Sequence, residues 1–504
     1  MSNITVDTPH YRKVNAHKLS LEYSQAFFSL IVSLILTIIF LINGFDFSST
    51  SIKPFFFSAF VAYLFSTILQ MLITWRIKQN LKKFGNIQQA TRKWGYIQLI
   101  SLLFGNVFTA SSALLLIKEK KSIDYIFAVY MLLAQFLVIA VSSLNLFKPY
   151  VADTFLLGMY ILVGISLFYL YIFYLLPKIN KDSLSPTKVI LLSIALFLTG
   201  LTGNLFAILL GINLLHRIKK DKQSGKNAWS TTWKKISNNF SAMLGLFFII
   251  FLFTLSICSY LTFDRDLAIE NNYSAILQTP SLTYPLGTDD FGRDLLSRII
   301  FGARISLIVG FLSTIIPLFI GGFLGALAGY YGNRADNMIM RLLDVLYAIP
   351  GILLAIVIIA AFGSNTITLI IALSVGSIPT YARTMRANIL MISNLEYIES
   401  AKALGANNFT ILFKHAVPNS LAPMIVKSTL TIGSAVIATS SLSYLGLGVE
   451  PHIPEWGNIL KIGSAYLESH SYLAIYPGLC IIALVLSFNF LGDGLRDALD
   501  PKLD

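Results

Sequence analysis

Three carboxylates within six residues, Asp289, Asp290 and Asp294, are the side chains whose spacing could support chemistry. Carboxylate oxygens are preferred ligands of divalent cations, so the cluster raises the question of a metal site. Arg293 and Arg298 lie beside the carboxylates in sequence, and no histidine accompanies them. The pattern therefore favours a charge-paired surface. It also lacks a nucleophile and a third orienting group, which argues against general acid–base catalysis.

A phosphate-binding loop is missing from the sequence, because Gly-x-x-x-x-Gly-Lys-Ser/Thr does not occur. That loop supplies the backbone N–H groups that hold nucleotide phosphates, so any ATP hydrolysis must come from another chain. Cys258 and Cys480 fall inside apolar runs and have neither metal-site nor disulfide spacing. We therefore predict that the chain is not an enzyme and binds no metal or cofactor itself.

Residues 396–423 form a charged and apolar stretch between two hydrophobic runs. Its first half is rich in helix-forming residues, and Gly405 then interrupts the helix. A second short helix over 409–417 is expected to stop at Pro418. We call this pair of helices the elbow. Four of its apolar residues are predicted to form a knob for a groove on a partner protein: Ala401, Leu404, Ile411 and Leu412.

The composition is that of a polytopic membrane protein. Of 504 residues, 55% are hydrophobic and 12% are charged. A membrane-spanning helix needs about 20 apolar residues, and about a dozen such runs are present. The net charge of +13 is explained by Lys and Arg in cytoplasmic loops, so nucleic-acid binding need not be invoked. No cleavable signal peptide is expected in the first 25 residues.

The first half, residues 1–220, is predicted to be a separate membrane domain with six spans. They are 26–43, 54–75, 96–117, 125–147, 155–176 and 189–215. With the N-terminus inside, the cytoplasmic loops 1–25, 76–95, 148–154 and 216–240 hold 3, 6, 1 and 7 Lys and Arg residues. The outer loops 44–53, 118–124 and 177–188 hold 1, 3 and 3. None of the runs contains Asp, Glu, Lys, Arg or His, which favours a packing or anchoring role over an ion-coupled carrier.

A basic linker, residues 221–240, leads to the second half, residues 241–504. Its predicted spans are 241–262, 305–332, 347–363, 366–380, 424–448 and 472–491. Counting from an inside linker places residues 263–304 outside and both the elbow and the C-terminus inside. The fold class predicted for the whole chain is all-α, with about 12 transmembrane helices.

Four segments of the second half resemble one family of transport proteins. Glu399-Ser400-Ala401, Gly405 and His415-Ala416-Val417-Pro418 resemble the coupling loop of ABC-importer permeases, with Ser400 and Val417 departing from the family pattern. Three further segments resemble the C-type subunit of dipeptide, oligopeptide and nickel permeases: Leu286–Asp294 with Gly302–Leu307, Ser441–Gly448 and Phe488–Asp497. The resemblance covers roughly residues 227–504 and implies a six-helix type I importer core.

The resemblance also implies roles for individual residues. ATPase coupling would fall to Glu399, Ser400, Ala401, Gly405, His415 and Pro418. An outer docking or pore-roof element would contain Gly287, Thr288, Asp289, Asp290, Gly292, Arg293 and Asp294. Polar side chains suited to lining a peptide path are Ser434, Ser441, Tyr444 and Asn489. The alternative for each hydroxyl is a hydrogen bond to its own helix backbone.

The partners implied by the family are a second, B-type permease, two ATPase subunits that bind ATP and Mg, and an extracytoplasmic peptide-binding protein. The location implied is the inner (plasma) membrane of a prokaryote, with both termini cytoplasmic. The predicted function is import of di- or oligopeptides. Import of nickel or a metal chelate is the same-class alternative. A membrane sensor or scaffold with a degenerate permease core is the alternative from another class.

Overall fold

Long apolar helices dominate the computed structural model, which describes residues 20–46, 51–52, 54–119, 121–180, 185–220 and 228–500. Within these residues, nine helices are long and apolar enough to cross a membrane, or ten if one bent pair is counted as a span. The predicted all-α polytopic membrane fold is confirmed. The described residues divide between an N-terminal unit, Met1–Val141 with Tyr160–Phe240, and a core unit, Ser142–Met159 with Ser241–Asp504.

The described residues of the first half of the sequence form nine α-helices and one two-stranded ribbon. In chain order these are α1 Leu21–Gly44, β1 Phe45–Asp46, β2 Ser51–Ile52, α2 Pro54–Phe84, α3 Gln89–Gln98, α4 Val107–Ile117, α5 Ile123–Ser143, α6 Phe155–Asn180, α7 Pro186–Gly200, α8 Leu205–Lys220 and α9 Ala228–Asn238. The two strands pair antiparallel. The first part of the predicted linker, residues 221–227, lies outside the described residues.

Two of the six predicted spans of this half are hairpins of shorter helices. In place of the run 96–117, α3 and α4 are joined through a 3-10 helix, Leu99–Phe104, and Gly105 at φ 71°. The helices run antiparallel, because Arg92 Nη1 donates to the carbonyl oxygen of Leu116 at 2.9 Å. Ten or eleven residues at 1.5 Å each reach only about half of a 30 Å hydrocarbon core. The run 189–215 is likewise broken into α7 and α8.

The hairpins change which loops share a side of the membrane. Lys121 Nζ lies 2.6 Å from Glu22 Oε1, so residues 118–124 lie on the same side as the start of α1. The start of α5 meets the end of α8, where Asn213 Nδ2 donates to Asp124 Oδ1 at 2.6 Å. The prediction that 118–124 lies opposite the N-terminal segment is therefore wrong. The physical reason is that a hairpin returns the chain to the side from which it entered.

The loop between α5 and α6 was also predicted on the wrong side relative to the second half. Lys148 Nζ contacts Asp294 Oδ2 at 2.5 Å, so residues 148–154 share a side with the predicted outer residues around Asp294. The prediction had placed 148–154 with the cytoplasmic loops. The two corrections agree, because α5 crosses the membrane once between residues 124 and 148.

The N-terminal unit contains an internal repeat of 98 residues that the sequence reasoning missed. Each copy consists of two long helices followed by a hairpin, α1 to α4 and then α5 to α8. The hairpin tips are Gly105-Asn106 and Gly203-Asn204, and both glycines have positive φ, 71° and 93°. The Asn106 side chain donates to Ser33 Oγ and that of Asn204 to the carbonyl oxygen of Met131, which are again 98 residues apart. The sequence signal was Gly-Asn-Val-Phe at 105–108 and Gly-Asn-Leu-Phe at 203–206.

The core unit is built from α10 to α20. They are α10 Phe240–Thr262, α11 Asp266–Ile269, α12 Leu295–Tyr331, α13 Asn333–Tyr347, α14 Gly351–Phe362, α15 Thr366–Ile392, α16 Glu396–Ala403, α17 Asn408–Thr410, α18 Val417–Tyr444, α19 Trp456–Ser464 and α20 Tyr472–Leu499. A π-helix, Ile411–Ala416, joins α17 to α18. The helix α12 begins ten residues before its predicted start, which leaves 263–294 as the outer segment. The predicted run 347–363 is replaced by α13 and α14, bent by 80°.

The helices α12 and α15 pack through a row of glycines. A Cβ atom on Gly321 or Gly329 would lie 2.6 or 2.8 Å from the carbonyl oxygens of Ile378 or Arg386. Gly325 faces Ala382 more closely still. Residue numbers increase together along both helices, so α12 and α15 run parallel and both end near the elbow. Small residues let helix backbones approach closely in membranes, and this contact sets the position of the elbow.

Candidate functional site

The elbow begins as the sequence predicts, with a short helix, α16, that ends at a glycine. Gly405 has φ 83°, and its N–H donates to the carbonyl oxygen of Lys402 at 3.0 Å. The N–H of Ala406 donates to the carbonyl oxygen of Ala401 at 3.1 Å. These two bonds satisfy carbonyls at the helix end, as a left-handed glycine usually allows. Asn407 then caps the next helix by accepting from the N–H of Thr410 at 2.7 Å.

The second helix of the elbow does not stop at Pro418 as predicted. The helical path continues from Asn408 to Tyr444 as α17, the π-helix and α18. Proline in an α-helix lacks one N–H and clashes with the carbonyl four residues before it. The wider turn at Ile411–Ala416 ends two residues before Pro418, which lies in the first turn of α18. The elbow is thus a short helix attached to the start of a long one.

One face of the elbow is buried and the other is exposed. Ile398, Ile411 and Leu412 are each 0% exposed and pack against the inner ends of α12 and α15. Leu404 is 88% exposed and Phe409 is 68% exposed. Of the predicted knob, Leu404 is therefore placed correctly, whereas Ile411 and Leu412 are wrong because they belong to the core. Phe409 was missed; it lies two positions before Ile411 and so on the opposite helix face.

The remaining predicted coupling residues occupy both faces. Glu399, Ser400 and Pro418 are exposed, and Ala401 and His415 are half-buried. The Ser400 hydroxyl donates to the carbonyl oxygen of Glu396 at 2.8 Å. Ser400, which departs from the family pattern, thus makes a hydrogen bond within its own helix.

Two ion pairs brace the helices that carry the elbow. Arg386 makes a two-pronged contact with Asp336, with Nε and Nη2 each 2.5 Å from a carboxylate oxygen. Arg383 Nη2 lies 2.6 Å from Asp344 Oδ1. Planar pairing of guanidinium with carboxylate fixes orientation as well as distance. These contacts tie the inner end of α15 to α13.

The charges of the outer segment are buried rather than displayed on a surface. Asp289, Arg293 and Asp294 are 2%, 5% and 1% exposed. Asp289 Oδ1 accepts from the backbone N–H of Arg293, and Oδ2 accepts from its Nε at 2.7 Å. Gly287, Thr288 and Gly292 are also buried, and Asp290 is half-buried. The prediction of a charge-paired surface is wrong because the pairs lie inside the segment and hold its shape.

The predicted pore-lining residues lie mainly along one stripe of α18. Ser434, Ser441 and Tyr444 are exposed at helical spacing. The hydroxyls of Ser434 and Ser441 contact the carbonyl oxygens four residues before them, at 3.4 and 2.8 Å. Asn489 on α20 is half-buried and lies beside Gly433. The Ser434 and Ser441 hydroxyls therefore bond to their own helix backbone, as the alternative prediction said. A role of the four residues in lining the path stays a prediction.

Glu455 is a buried carboxylate that the sequence reasoning did not single out. It is 0% exposed and caps α19, where Oε2 accepts from the N–H groups of Gly457 and Asn458 at 2.9 and 3.1 Å. Burial raises the pKa of Glu455, and the N–H of Gly457 opposes that shift. Its place just before Trp456-Gly457 was a signal, because Glu is an acceptor for a helix start.

We expect Glu455→Gln to change how stability depends on pH. A raised pKa means that the folded state binds the proton more tightly than the unfolded state. This stabilisation is fully present below about pH 4.5 and is lost as pH rises through the folded pKa. The melting temperature of the wild type relative to Glu455→Gln should therefore fall from pH 4 towards neutral pH. A difference that stays constant over that range would contradict the assignment.

Comparisons with known proteins agree on one group of relatives. The family model described as "Binding-protein-dependent transport system inner membrane component" matches residues 321–504. The chain is 42% identical over 284 residues to the glutathione transport system permease protein GsiD of Pectobacterium atrosepticum, covering 56% of this chain and 94% of that protein. It is 40% identical over 284 residues to the dipeptide transport system permease protein DppC of Alkalihalophilus pseudofirmus, covering 93% of that protein.

Among solved structures, the chain is similar to an inward-facing form of the MetNI methionine ABC transporter. The TM-score is 0.34 with 21% sequence identity, over 40% of this chain and 97% of that chain. The match to the Pectobacterium protein uses 284 of the 504 residues, which leaves 220 residues of this chain outside it.

Proposed function

The chain belongs to the family of binding-protein-dependent transport system inner membrane components, and from that membership we propose that it is the permease subunit of an ATP-driven importer of di- and oligopeptides. The observation that carries the proposal is the exposed elbow of a chain that is 42% identical to a glutathione transport system permease over 94% of that relative. Leu404 and Phe409 present apolar surface there, in a segment otherwise rich in charged and polar side chains. Such a knob fits an apolar groove on a soluble partner.

The proposed partners are a second permease subunit, two ATPase subunits and an extracytoplasmic peptide-binding protein. The ATPases would contact the elbow, and their ATP-driven closure would move it. Because Ile398 and Leu412 pack against the inner ends of α12 and α15, that movement would reach the helices of the core. ATPase closure can shift the permease between an outward-open and an inward-open state only if the ATPases contact the elbow differently in the two states.

The distribution of basic residues supports a cytoplasmic location for the side of the N-terminal unit that carries Glu22. On that side, the described residues of segments 76–95, 118–124 and 177–188 hold 6, 2 and 2 Lys and Arg residues. The described residues of segment 44–53, on the other side, hold none. Cytoplasmic loops carry the excess of Lys and Arg. A cytoplasmic location of the elbow and of both termini is part of the proposal.

Peptides are the proposed substrates because the relatives named above are glutathione and dipeptide permeases. The exposed stripe of α18 offers hydroxyl and phenol groups, without a fixed charge, to a polar chain. Import of nickel or a metal chelate stays the alternative that the experiment must separate.

The test is uptake into vesicles that contain the full chain, the second permease and both ATPases, with the binding protein outside. We expect ATP-dependent uptake of a labelled dipeptide, which unlabelled peptides inhibit and nickel complexes do not. Leu404→Asp should remove the ATPases during purification and lower uptake at least tenfold, because it places a charge in an apolar contact. Leu467→Asp, at an exposed leucine outside the elbow, is the matched control. Unchanged ATPase recovery with Leu404→Asp would refute the coupling role of the knob.

A further inference from the structure

A fully buried ion pair in the core unit joins two residues that lie 146 positions apart. Lys148 Nζ lies 2.5 Å from Asp294 Oδ2, and neither side chain is exposed to solvent. The same Nζ donates to Ser297 Oγ at 2.8 Å and lies 5.1 Å from the ring centre of Phe263. An ammonium group is costly to bury without a counter-charge. Each partner of this pair therefore depends on the other.

Residues 142–159, which we call the strap, hold Lys148 in place through hydrogen bonds to the end of α10. Asn145 Nδ2 donates to the carbonyl oxygen of Thr262 at 2.7 Å, and the Thr154 hydroxyl donates to that of Leu261 at 3.0 Å. The Ser142 hydroxyl contacts Thr262 Oγ1 at 3.2 Å. The strap comes from the first half of the sequence but is a fixed part of the core unit.

The lysine of the strap supplies a positive charge to the outer segment. Residues 289–298, at the end of that segment and the start of α12, contain three carboxylates, Asp289, Asp290 and Asp294, and two guanidinium groups, Arg293 and Arg298. Asp289 is shared by both arginines, with Arg293 Nε at 2.7 Å and Arg298 Nε at 3.5 Å. Lys148 adds a positive charge from outside this stretch and pairs with Asp294. In the described residues, Asp294 is thus paired across the fold rather than within its own segment.

We propose that Lys148 is a positioning residue for transport, which fixes the outer segment by neutralising Asp294 and makes the strap an integral part of the outer face of the permease. This inference rests on the proposed function, because that face is where a binding protein would deliver its peptide. It also gives the first half of the sequence a defined role. A lysine from the first half of the sequence contributes a charge that the core unit uses.

Asp294 also caps a helix, and this second role makes the inference testable. It caps α12 by accepting from the N–H and the hydroxyl of Ser297, at 2.9 and 2.5 Å. Asparagine caps helices about as well as aspartate, so Asp294→Asn keeps the cap while removing the negative charge. A neutral side chain at position 148 should therefore be harmful beside the native Asp294 and tolerated when the Asp294→Asn substitution is also present.

The experiment compares the full chain with Lys148→Met, Asp294→Asn and the double variant, reconstituted with its partners. Lys148→Met leaves a buried carboxylate unpaired, and we expect a fall in melting temperature of about 5–10 °C. Stimulation of ATP hydrolysis by the binding protein should fall at least tenfold. The double variant should recover both quantities to within about threefold of the wild type. Lys461→Met, at an exposed lysine of the same unit, is the control and should leave both unchanged.

The outcomes test the role of Lys148 separately from the proposed function. A Lys148→Met protein that behaves like Lys461→Met would overturn the inference. A double variant no better than Lys148→Met would overturn it as well, because the charge of Asp294 would then not be what the lysine serves. If the wild type itself shows no stimulation by peptide-loaded binding protein, the proposed function fails. The melting temperatures of the four proteins still test the charge pair in that case.

Discussion

Replacing Gly405 with proline should abolish peptide-dependent ATP hydrolysis and uptake while leaving the amount of protein in the membrane unchanged. Gly405 has φ 83°, whereas proline holds φ near −65°, so the turn after α16 cannot form. Proline also removes the N–H that bonds to the carbonyl oxygen of Lys402. A Cβ at this position would meet no atom within 4 Å, so the effect comes from backbone geometry and not from crowding.

Two further substitutions at this position make the prediction graded. Gly405→Asn should retain most of the activity, because asparagine adopts the left-handed conformation more readily than other residues. Gly405→Ala should lie between, since a left-handed alanine costs about 1–2 kcal/mol. The measurement is ATPase activity and dipeptide uptake in proteoliposomes at equal protein content. Normal uptake with Gly405→Pro would mean that the shape of the elbow does not carry the coupling.

The local parts of the elbow could be predicted from sequence because they depend on neighbouring residues. Helix-forming residues before Gly405 and a glycine suited to positive φ determine α16 and its end. The continuation through Pro418 could not be predicted in the same way. It depends on a π-helix whose Phe413 ring stacks on Phe323 of α12, 6.1 Å away, and on a bond from Tyr330 to Asn408. Contacts between distant segments decide that geometry.

The membrane topology shows the same limit. Hydropathy gives similar values for one span and for a hairpin of two half-length helices, so 96–117 and 189–215 were both interpreted as spans. Gly105 and Gly203 were the local clue, and the cluster of lysines at 118–121 was the clue from charge. Placing the hairpins correctly required the contact between Glu22 and Lys121, which lie 99 residues apart.

The charges near Asp294 were recognised from sequence, but their environment was not. Local spacing pairs Asp289 with Arg293 and suggests a solvated surface. The structure buries these groups, and a lysine 146 residues before Asp294 pairs with that carboxylate. No local pattern around Lys148 indicates that it pairs with Asp294, since Lys-Pro-Tyr-Val is typical of an ordinary loop. The family resemblance could not supply it, because it covers only the second half of the chain.

The second large effect is expected at the glycine row between α12 and α15. Gly325→Ala should lower the free energy of unfolding by roughly 3 kcal/mol or more, and Gly325→Val should prevent stable folding. A Cβ on Gly325 would overlap the backbone of Ala382, and a backbone cannot rotate away as a side chain can. The two helices would have to separate, which would loosen Gly321 and Gly329 as well. The measurement is the melting temperature of the detergent-purified protein.

Gly322→Ala is the matched control, because it adds the same methyl group to the same helix three residues away. A Cβ there would meet only the Met424 methyl group, at 3.8 Å, which is ordinary contact. We expect its melting temperature to stay close to that of the wild type. Equal melting temperatures for Gly322→Ala and Gly325→Ala would show that α12 and α15 do not depend on close backbone contact. The elbow would then lack the rigid support through which its movement is proposed to reach the core.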